Sequence, residues 1–369
     1  MSVLLVLALF VQSVDFLTEG NRALDAQQYE RALDLFQKAS AADPKDPAAA
    51  FQLALTHSIL GHDADAIQSY RATLELEPGM YEAQFNLGLL LLRSQDSAGA
   101  LPYLEAAIAK KPTLTGESAL ARALMQQKRY VEAEAHYRKA VELDPARRED
   151  LLDLAVAYEE DRKVAEAIRL YREFPKHAVA QYRLGLLLKT SGDTAEATTA
   201  LEASVAQSPT VENLLALAQA YLAEKRIPEA DAAAARATAA EPKDVEIRLF
   251  YGRILRDQRK FPAAAAQFLA ATQIKPDSRE AWNELAAALT IAEQYPQALM
   301  ALDKAAALGD EIPGNLFFRA LVLDRLEQRP AALAAYERFL EASKGKFPNQ
   351  EFQARGRIRT IERELKKNR

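Results

Sequence analysis

Three observations predict an all-α chain built as a solenoid of ten helical hairpins and closed by a capping helix. The first is composition: hydrophobic residues make up 49% of the 369 positions but aromatics only 8%, and Ala and Leu outnumber β-branched types, a mixture that favours helix. The second is a period carried by alanine. Ala32, Ala66, Ala100, Ala133, Ala167, Ala197, Ala230, Ala264, Ala298 and Ala332 follow one another at intervals of 34, 34, 33, 34, 30, 33, 34, 34 and 34 residues. The third is the frame around each alanine. Twelve residues before it stands Gly20, Ala54, Gly88, Ala121, Ala155, Gly185, Ala218, Gly252, Ala286 or Ala320, always Gly or Ala. Twelve residues after it comes Pro44, Pro78, Pro112, Pro145, Pro209, Pro242 or Pro276, in seven cases of ten. Such self-similarity marks a repeat architecture. It frees a long chain from the limit of about 250–300 residues at which single cores stop growing, because each unit buries its face only against its neighbours.

Taken in order, residues 1–13 form an apolar N-terminal segment. Val3 to Val11 is an uncharged run of signal-peptide length, and Val11-Gln12-Ser13 is a small-residue cleavage pattern, although no Lys or Arg precedes the run. It is too short to span a bilayer. The expectation is a bacterial periplasmic or cell-envelope protein, with membrane association only through this segment if it stays uncleaved. The alternative is a cytoplasmic protein whose apolar leading helix packs on the first repeat.

Residues 14–177 hold the first five hairpins and residues 178–346 the next five. In each, a first-helix residue with almost no side chain lets the second helix approach, and the alanine on the second helix returns the close contact; bulkier residues would wedge the pair apart. Leu87 and Leu91, with Phe85 and Leu89 nearby, and the large residues four after the alanine (Phe36, Tyr70, Tyr137, Tyr171, Phe268, Tyr336) have the spacing of amphipathic helices. The proline stops the second helix, because it lacks an N–H and biases its predecessor out of the helical region. The fifth unit, Arg148 to His177, is short: its interval is 30 rather than 34 residues. Phe174-Pro175 truncates its second helix, and a kink is expected there. Residues 347–369 open with Phe347-Pro348-Asn349 and continue as a capping helix with Phe352, Ile358, Ile361 and Leu365 expected on one side.

These residues resemble the tetratricopeptide repeat, whose pattern places a small residue, an alanine and a proline at these offsets. The resemblance covers about residues 13 to 346 in ten tandem copies. The aromatic that the family often carries at the fourth position survives only as Trp282. The resemblance implies a right-handed superhelix whose first helices line a concave groove, with the second, fifth, sixth, ninth, twelfth and thirteenth positions of each unit facing a protein or peptide partner. Those positions lie away from the small-residue face of the helix. They fall on Asn21; on Phe51, Gln52 and Leu55; on Phe85, Asn86, Leu89 and Arg93; and on Arg122 and Met125. After the short unit they fall on Tyr182, Arg183, Leu186 and Lys189; on Gln219; on Phe250, Arg253 and Arg256; and on Asn283, Phe317 and Phe318.

Rings and leucines would bury apolar side chains of an extended peptide or helix, while amides and arginines hold its backbone and carboxylates. The first set is apolar with amides and the second more basic. The competing reading is that the rings pack on the next repeat. The carboxylate clamp of the chaperone-adaptor branch is not expected: Asn21 and Asn86 fit it, but Leu17, Phe51 and Phe85 stand where a lysine is needed.

Chemistry offers little else. Lys and Arg number 47 against 52 Asp and Glu, a net charge of −5, which supplies no field for nucleic acid or an anionic membrane. Cysteine is absent, so disulfides and thiolate metal sites are ruled out. His57, His62, Asp63 and Asp65 have a ligand-like look, but His57 occupies a slot usually packed and the others a turn, so no metal site is expected. No H-E-x-x-H motif and no phosphate loop occurs. Glu159, Glu160 and Asp161 read as a solvated helix end. Arg355, Arg357, Arg359, Arg363, Lys366, Lys367 and Arg369 read as the polar face of the cap, interrupted by Glu362 and Glu364. The expectation is therefore a non-catalytic scaffold with no cofactor and no small-molecule substrate. The alternatives are a regulatory or substrate-recruiting subunit of a separate enzyme, of glycosyltransferase or protease type, and a self-assembling structural element.

Overall fold

A computed structural model of the chain describes residues 15–309 and 311–367; the apolar run Val3–Val11 and its cleavage pattern lie outside them. The chain divides into two compact units, one ending at Tyr171 and the other beginning at Arg172. The described residues form helices and the turns between them. The first unit pairs α1 (15–25) with α2 (Tyr29–Ala42), α3 (Pro47–Ile59) with α4 (Asp63–Leu76), α5 (Tyr81–Arg93) with α6 (Ser97–Lys110) and α7 (Leu114–Gln126) with α8 (Tyr130–Leu143). A 3-10 turn, Pro145–Glu149, then leads into α9 (Asp150–Glu160) and α10 (Val164–Arg172).

The second unit pairs α11 (Ala178–Ser191) with α12 (Thr194–Gln207), α13 (Val211–Ala223) with α14 (Ile227–Ala240) and α15 (Val245–Asp257) with α16 (Phe261–Ile274). It continues with α17 (Arg279–Ile291) and α18 (Tyr295–Ala307), then α19 (Pro313–Arg325) and α20 (Arg329–Ser343), and closes with α21 (Pro348–Lys367). The fold is an all-α helical-repeat solenoid. No helix among the described residues is long and apolar enough to cross a membrane.

Several first helices start on side-chain caps: Asp46, Thr113, Thr210, Asp244 and Ser278 each accept a hydrogen bond from an N–H of the first turn, satisfying a donor that the helix itself leaves free. Second helices stop two residues before the proline, as at Ala42 before Asp43-Pro44, where Asp43 is extended at φ −132°, ψ 89° and so meets the restriction the proline imposes.

The turn inside each hairpin is the same in all ten. One residue adopts the left-handed conformation: Gln27, Gly61, Gln95, Lys128, Arg162, Gly192, Lys225, Arg259, Glu293 or Glu327. The N–H of the next residue then reaches back to the carbonyl five positions earlier, as from His62 to His57 at 2.9 Å and from Arg226 to Tyr221 at 2.8 Å. This bond closes the first helix and sets the side chains of residues i and i+5 against each other.

All ten repeat alanines are buried. Where the small first-helix residue is glycine, the nearest atoms belong to the large residue four positions after the alanine. A methyl group on Gly20 would meet the Phe36 ring at 2.5 Å, and one on Gly88 would meet Leu104 at 2.7 Å. Phe36, Tyr70, Tyr137, Tyr171, Phe268 and Tyr336 are all buried. In the fifth hairpin α10 has 9 residues where α8 and α12 have 14. Phe174 is buried there, and its carbonyl accepts from Gln181 Nε2 at 3.1 Å.

In the cap, Ala354 and Ile361 are buried and Ile358 and Leu365 half-buried against Tyr336 and Phe339. Phe352 departs from expectation, with 74% of its surface exposed. At about 100° per residue it stands on the opposite side of α21 from Ile361. Glu351 ties the cap down by accepting from Ser343 Oγ and the Gly345 N–H, each at 2.7 Å. Two cap cations are spent internally: Arg355 on Glu351 and Arg357 on Asp324.

Candidate partner-binding surface

In the first unit the inner faces of α3, α5 and α7 are taken by small residues and leucines, which leaves the groove positions beside them partly open. Phe51, Gln52, Leu55, Phe85, Asn86, Leu89 and Met125 are half-buried, and Arg93 and Arg122 are exposed. Leu55, Asn86, Leu89, Arg93 and Arg122 come together around one pocket of about 470 Å³, whose wall also includes Ser58, Tyr70 and Gln126. Three successive first helices therefore contribute to it.

Tyr70, which the sequence offers only as one of the large residues of an amphipathic helix, also belongs to this wall. Its ring fills the slot over Ala54, and its hydroxyl reaches hydrogen bonds with Asn86 and Ser58; burial pushes its pKa up to about 12. The signal was present in the sequence, since a tyrosine at that slot carries a polar tip that phenylalanine lacks. Arg93 donates to Asp63 across the hairpin boundary at 2.5 Å. Arg122 makes no ion pair among the described residues. Phe51 and Phe85 stand outside the pocket and pack at home: Phe51 on Tyr70 with centroids 6.0 Å apart, and Phe85 stacked on Tyr81 at 5.7 Å. Asn21 also lies apart from it. The Gln52 Oε1 atom is buried without a partner.

The second unit differs from the basic surface read from its sequence, because its polar groove residues are mostly engaged with the following hairpin. Tyr182 donates to Glu212 at 2.8 Å and Lys189 to Gln219 at 3.0 Å. Arg253 bonds Glu284 at 2.9 Å and also Glu280, while Arg256 bonds Glu284 at 2.6 Å. Burial alone would lower the pKa of Arg253, and these carboxylates reverse it to a raised value. Asn283 accepts from Asn315 at 2.6 Å. Stacked repeats put residues roughly one period apart side by side, and the carboxylates one period on cancel the charge. Phe317 packs on Phe339 at 5.1 Å and beside Phe318. Phe250 packs on the cluster around Ala234 and Ile254, and Leu186 on that around Leu217. Arg183 is half-buried and Gln219 exposed.

Two polar clusters of the first unit are more tightly engaged than their sequence suggests. The Glu159–Asp161 run is more than a solvated end, since Glu159 accepts from the Tyr171 hydroxyl at 2.8 Å and Asp161 pairs with Lys128 at 2.6 Å. The histidine group converges: His57 Nδ1 and His62 Nδ1 are 3.4 Å apart, and one ring nitrogen from each histidine and an Asp65 carboxylate oxygen lie within 4.8 Å of one another. Asp63 is not among them, being held by Arg93. Burial lowers the pKa of His57, with Asp65 opposing.

A family profile described as "Tetratricopeptide repeat" matches residues 17–61, 60–114, 152–212, 215–279 and 252–315, and a second of the same description matches 118–147. Among curated proteins, BBSome complex member BBS4 of Bos taurus is 25% identical over 338 residues, which cover 89% of this chain, and its Mus musculus counterpart gives the same figures. The chain spans 63% of the length of these relatives. Among solved structures, that of Naa15/Naa10 bound to HypK-THB is 15% identical, covering 93% of this chain and 65% of that one at a TM-score of 0.51. YrrB, described as a TPR protein with an unusual peptide-binding site, is 17% identical over 58% of this chain and 92% of its own at a TM-score of 0.35.

Proposed function

The chain belongs to the tetratricopeptide-repeat family, and from that premise we propose that it is a non-catalytic interaction scaffold whose N-terminal unit seats a peptide or helix of a partner protein. One observation carries the reading: Leu55, Asn86, Leu89, Arg93 and Arg122, from three successive first helices, meet around a single open pocket with Tyr70 in its wall. Leu55 and Leu89 offer an apolar seat, Asn86, steadied by the buried Tyr70 hydroxyl, offers hydrogen bonds to backbone, and Arg122 offers an uncommitted cation. The fitting occupant is a segment carrying an apolar side chain with a carboxylate close by.

Magnitudes assign the roles. Burying one aliphatic side chain is worth about 1.5–3 kcal/mol, whereas an exposed ion pair is worth about 0.2–1 kcal/mol. The leucines therefore supply most of the affinity, and Arg122 supplies orientation and choice of partner. Selection of binders from a displayed random-peptide library, followed by fluorescence polarisation, tests this. Leu89→Ala is expected to weaken the selected peptides about tenfold, and Arg122→Glu to weaken acidic ones several-fold. Failure to select any peptide, or affinities that neither variant moves, would remove the proposal.

Placement at the cell envelope through Val3–Val11 is a second part of the reading, supported by that run's length and the pattern after it. The mass of the mature N-terminus decides it. An intact Met1 on soluble protein would exclude it.

A further inference from the structure

We propose that the turn joining α3 to α4 binds one divalent transition-metal ion of the Zn²⁺ class through His57 Nδ1, His62 Nδ1 and a carboxylate oxygen of Asp65. The geometry of the pair suits the ion. At metal–nitrogen distances of about 2.0–2.1 Å, tetrahedral coordination sets two imidazole nitrogens about 3.3–3.4 Å apart, and here they stand at 3.4 Å. An Asp65 carboxylate oxygen lies within 4.8 Å of a ring nitrogen of each histidine. Asp65 is exposed in the first turn of α4, so a rotamer change carries it the remaining distance. Two imidazoles and a carboxylate form a donor set that suits zinc and its neighbours, and water completes the sphere at a site where His62 and Asp65 are open to solvent.

The backbone supplies the preorganisation. The left-handed Gly61 and the His62 N–H to His57 carbonyl bond hold residues 57 and 62 side by side. In the nine other hairpins the first residue of the equivalent pair is Ala, Leu or Tyr. Only this turn carries an imidazole there, and it holds two of the chain's four histidines. A hydrogen bond between two neutral rings would account for the histidine pair alone, and the Asp65 carboxylate beside it supplies the third donor that a metal ion takes.

The test uses the full-length chain without a polyhistidine tag, stripped of metal, then titrated with ZnCl₂ by calorimetry and with Co²⁺ by visible absorption. The expected result is one ion per chain, the d–d bands of tetrahedral Co²⁺, and a thermal midpoint that rises with Zn²⁺. His62→Ala should weaken Zn²⁺ binding by at least about tenfold and abolish the bands, with Asp65→Asn weakening it less. His62 is exposed, so the metal-free midpoint of that variant should match the parent and separates lost binding from lost fold. Absence of stoichiometric binding and of the bands in the parent, or parent-like affinity in His62→Ala, would overturn the proposal.

Discussion

Arg259 and Glu293 hold φ values of 61° and 59°, and in eight of the ten hairpin turns a residue with a Cβ takes this left-handed conformation. That conformation costs about 1–2 kcal/mol per residue, against about 0.5–1 kcal/mol that glycine gives up in backbone entropy. Arg259→Gly is accordingly expected to stabilise the protein by about 0.5–1 kcal/mol, seen as a higher urea midpoint at unchanged slope. A lower midpoint would mean that the Arg259 side chain contributes more than its backbone costs. The sequence did not advertise these turns, because Lys, Arg, Gln and Glu carry none of the signal that glycine does. Alanines and prolines were legible because each forces one local outcome. A second residue-scale consequence concerns acid. Burial alone would raise the pKa of Glu134, but hydrogen bonds from Arg169 and Arg138 outweigh it and hold the carboxyl below its ordinary value of 4.5. A native pKa that is depressed contributes stability in full above the unfolded value and loses it as pH falls through the native one. Glu134→Gln should therefore be less stable than the parent at neutral pH, with the gap closing as pH drops below about 4. A gap of equal size at pH 7 and in acid would sink this account.

At the scale of the element, the small-for-large exchange inside each hairpin decides how closely two helices pack. Gly252 faces the ring of Phe268, which is fully buried. Gly252→Ala would return about 1 kcal/mol of helix propensity but overpack the slot at about 1–3 kcal/mol. A net loss of roughly 1 kcal/mol is expected, and shortening the ring with Phe268→Leu should relieve part of it in a double-mutant cycle of chemical unfolding. Additive effects would show that the two residues do not meet. Offsets along the chain revealed that small and large residues alternate, yet not which faces which. At the glycines the tightest contact runs to the residue one helical turn beyond the alanine. Phe352 was misplaced for a related reason, since it was assigned by its apolar character without its helical phase.

For the whole molecule, the repeat count and the stops were written in the sequence, while the quality of the candidate surface was not. In the second unit Arg253 and Arg256 looked like an available basic patch until Glu280 and Glu284, roughly one period further on, were seen to engage them. Neutralisation across repeats is invisible until repeats are stacked. Tyr70 joined the pocket wall for the same reason, because its hydroxyl meets Asn86 of the next hairpin. The uniform turns also bear on how such a chain can change over descent. Twelve residues always separate the small residue from its alanine inside a hairpin, whereas the stretch from an alanine to the next small residue is 22, 22, 21, 22, 18, 21, 22, 22 and 22 residues. A turn locked by one left-handed residue and one reaching-back bond has no room for a residue gained or lost. The joint after the second helix can yield one, and the joint after α10 is four shorter than the usual 22. Insertions and deletions should therefore accumulate at those outer joints, and a hairpin bounded by two of them is the segment that can be duplicated or excised whole.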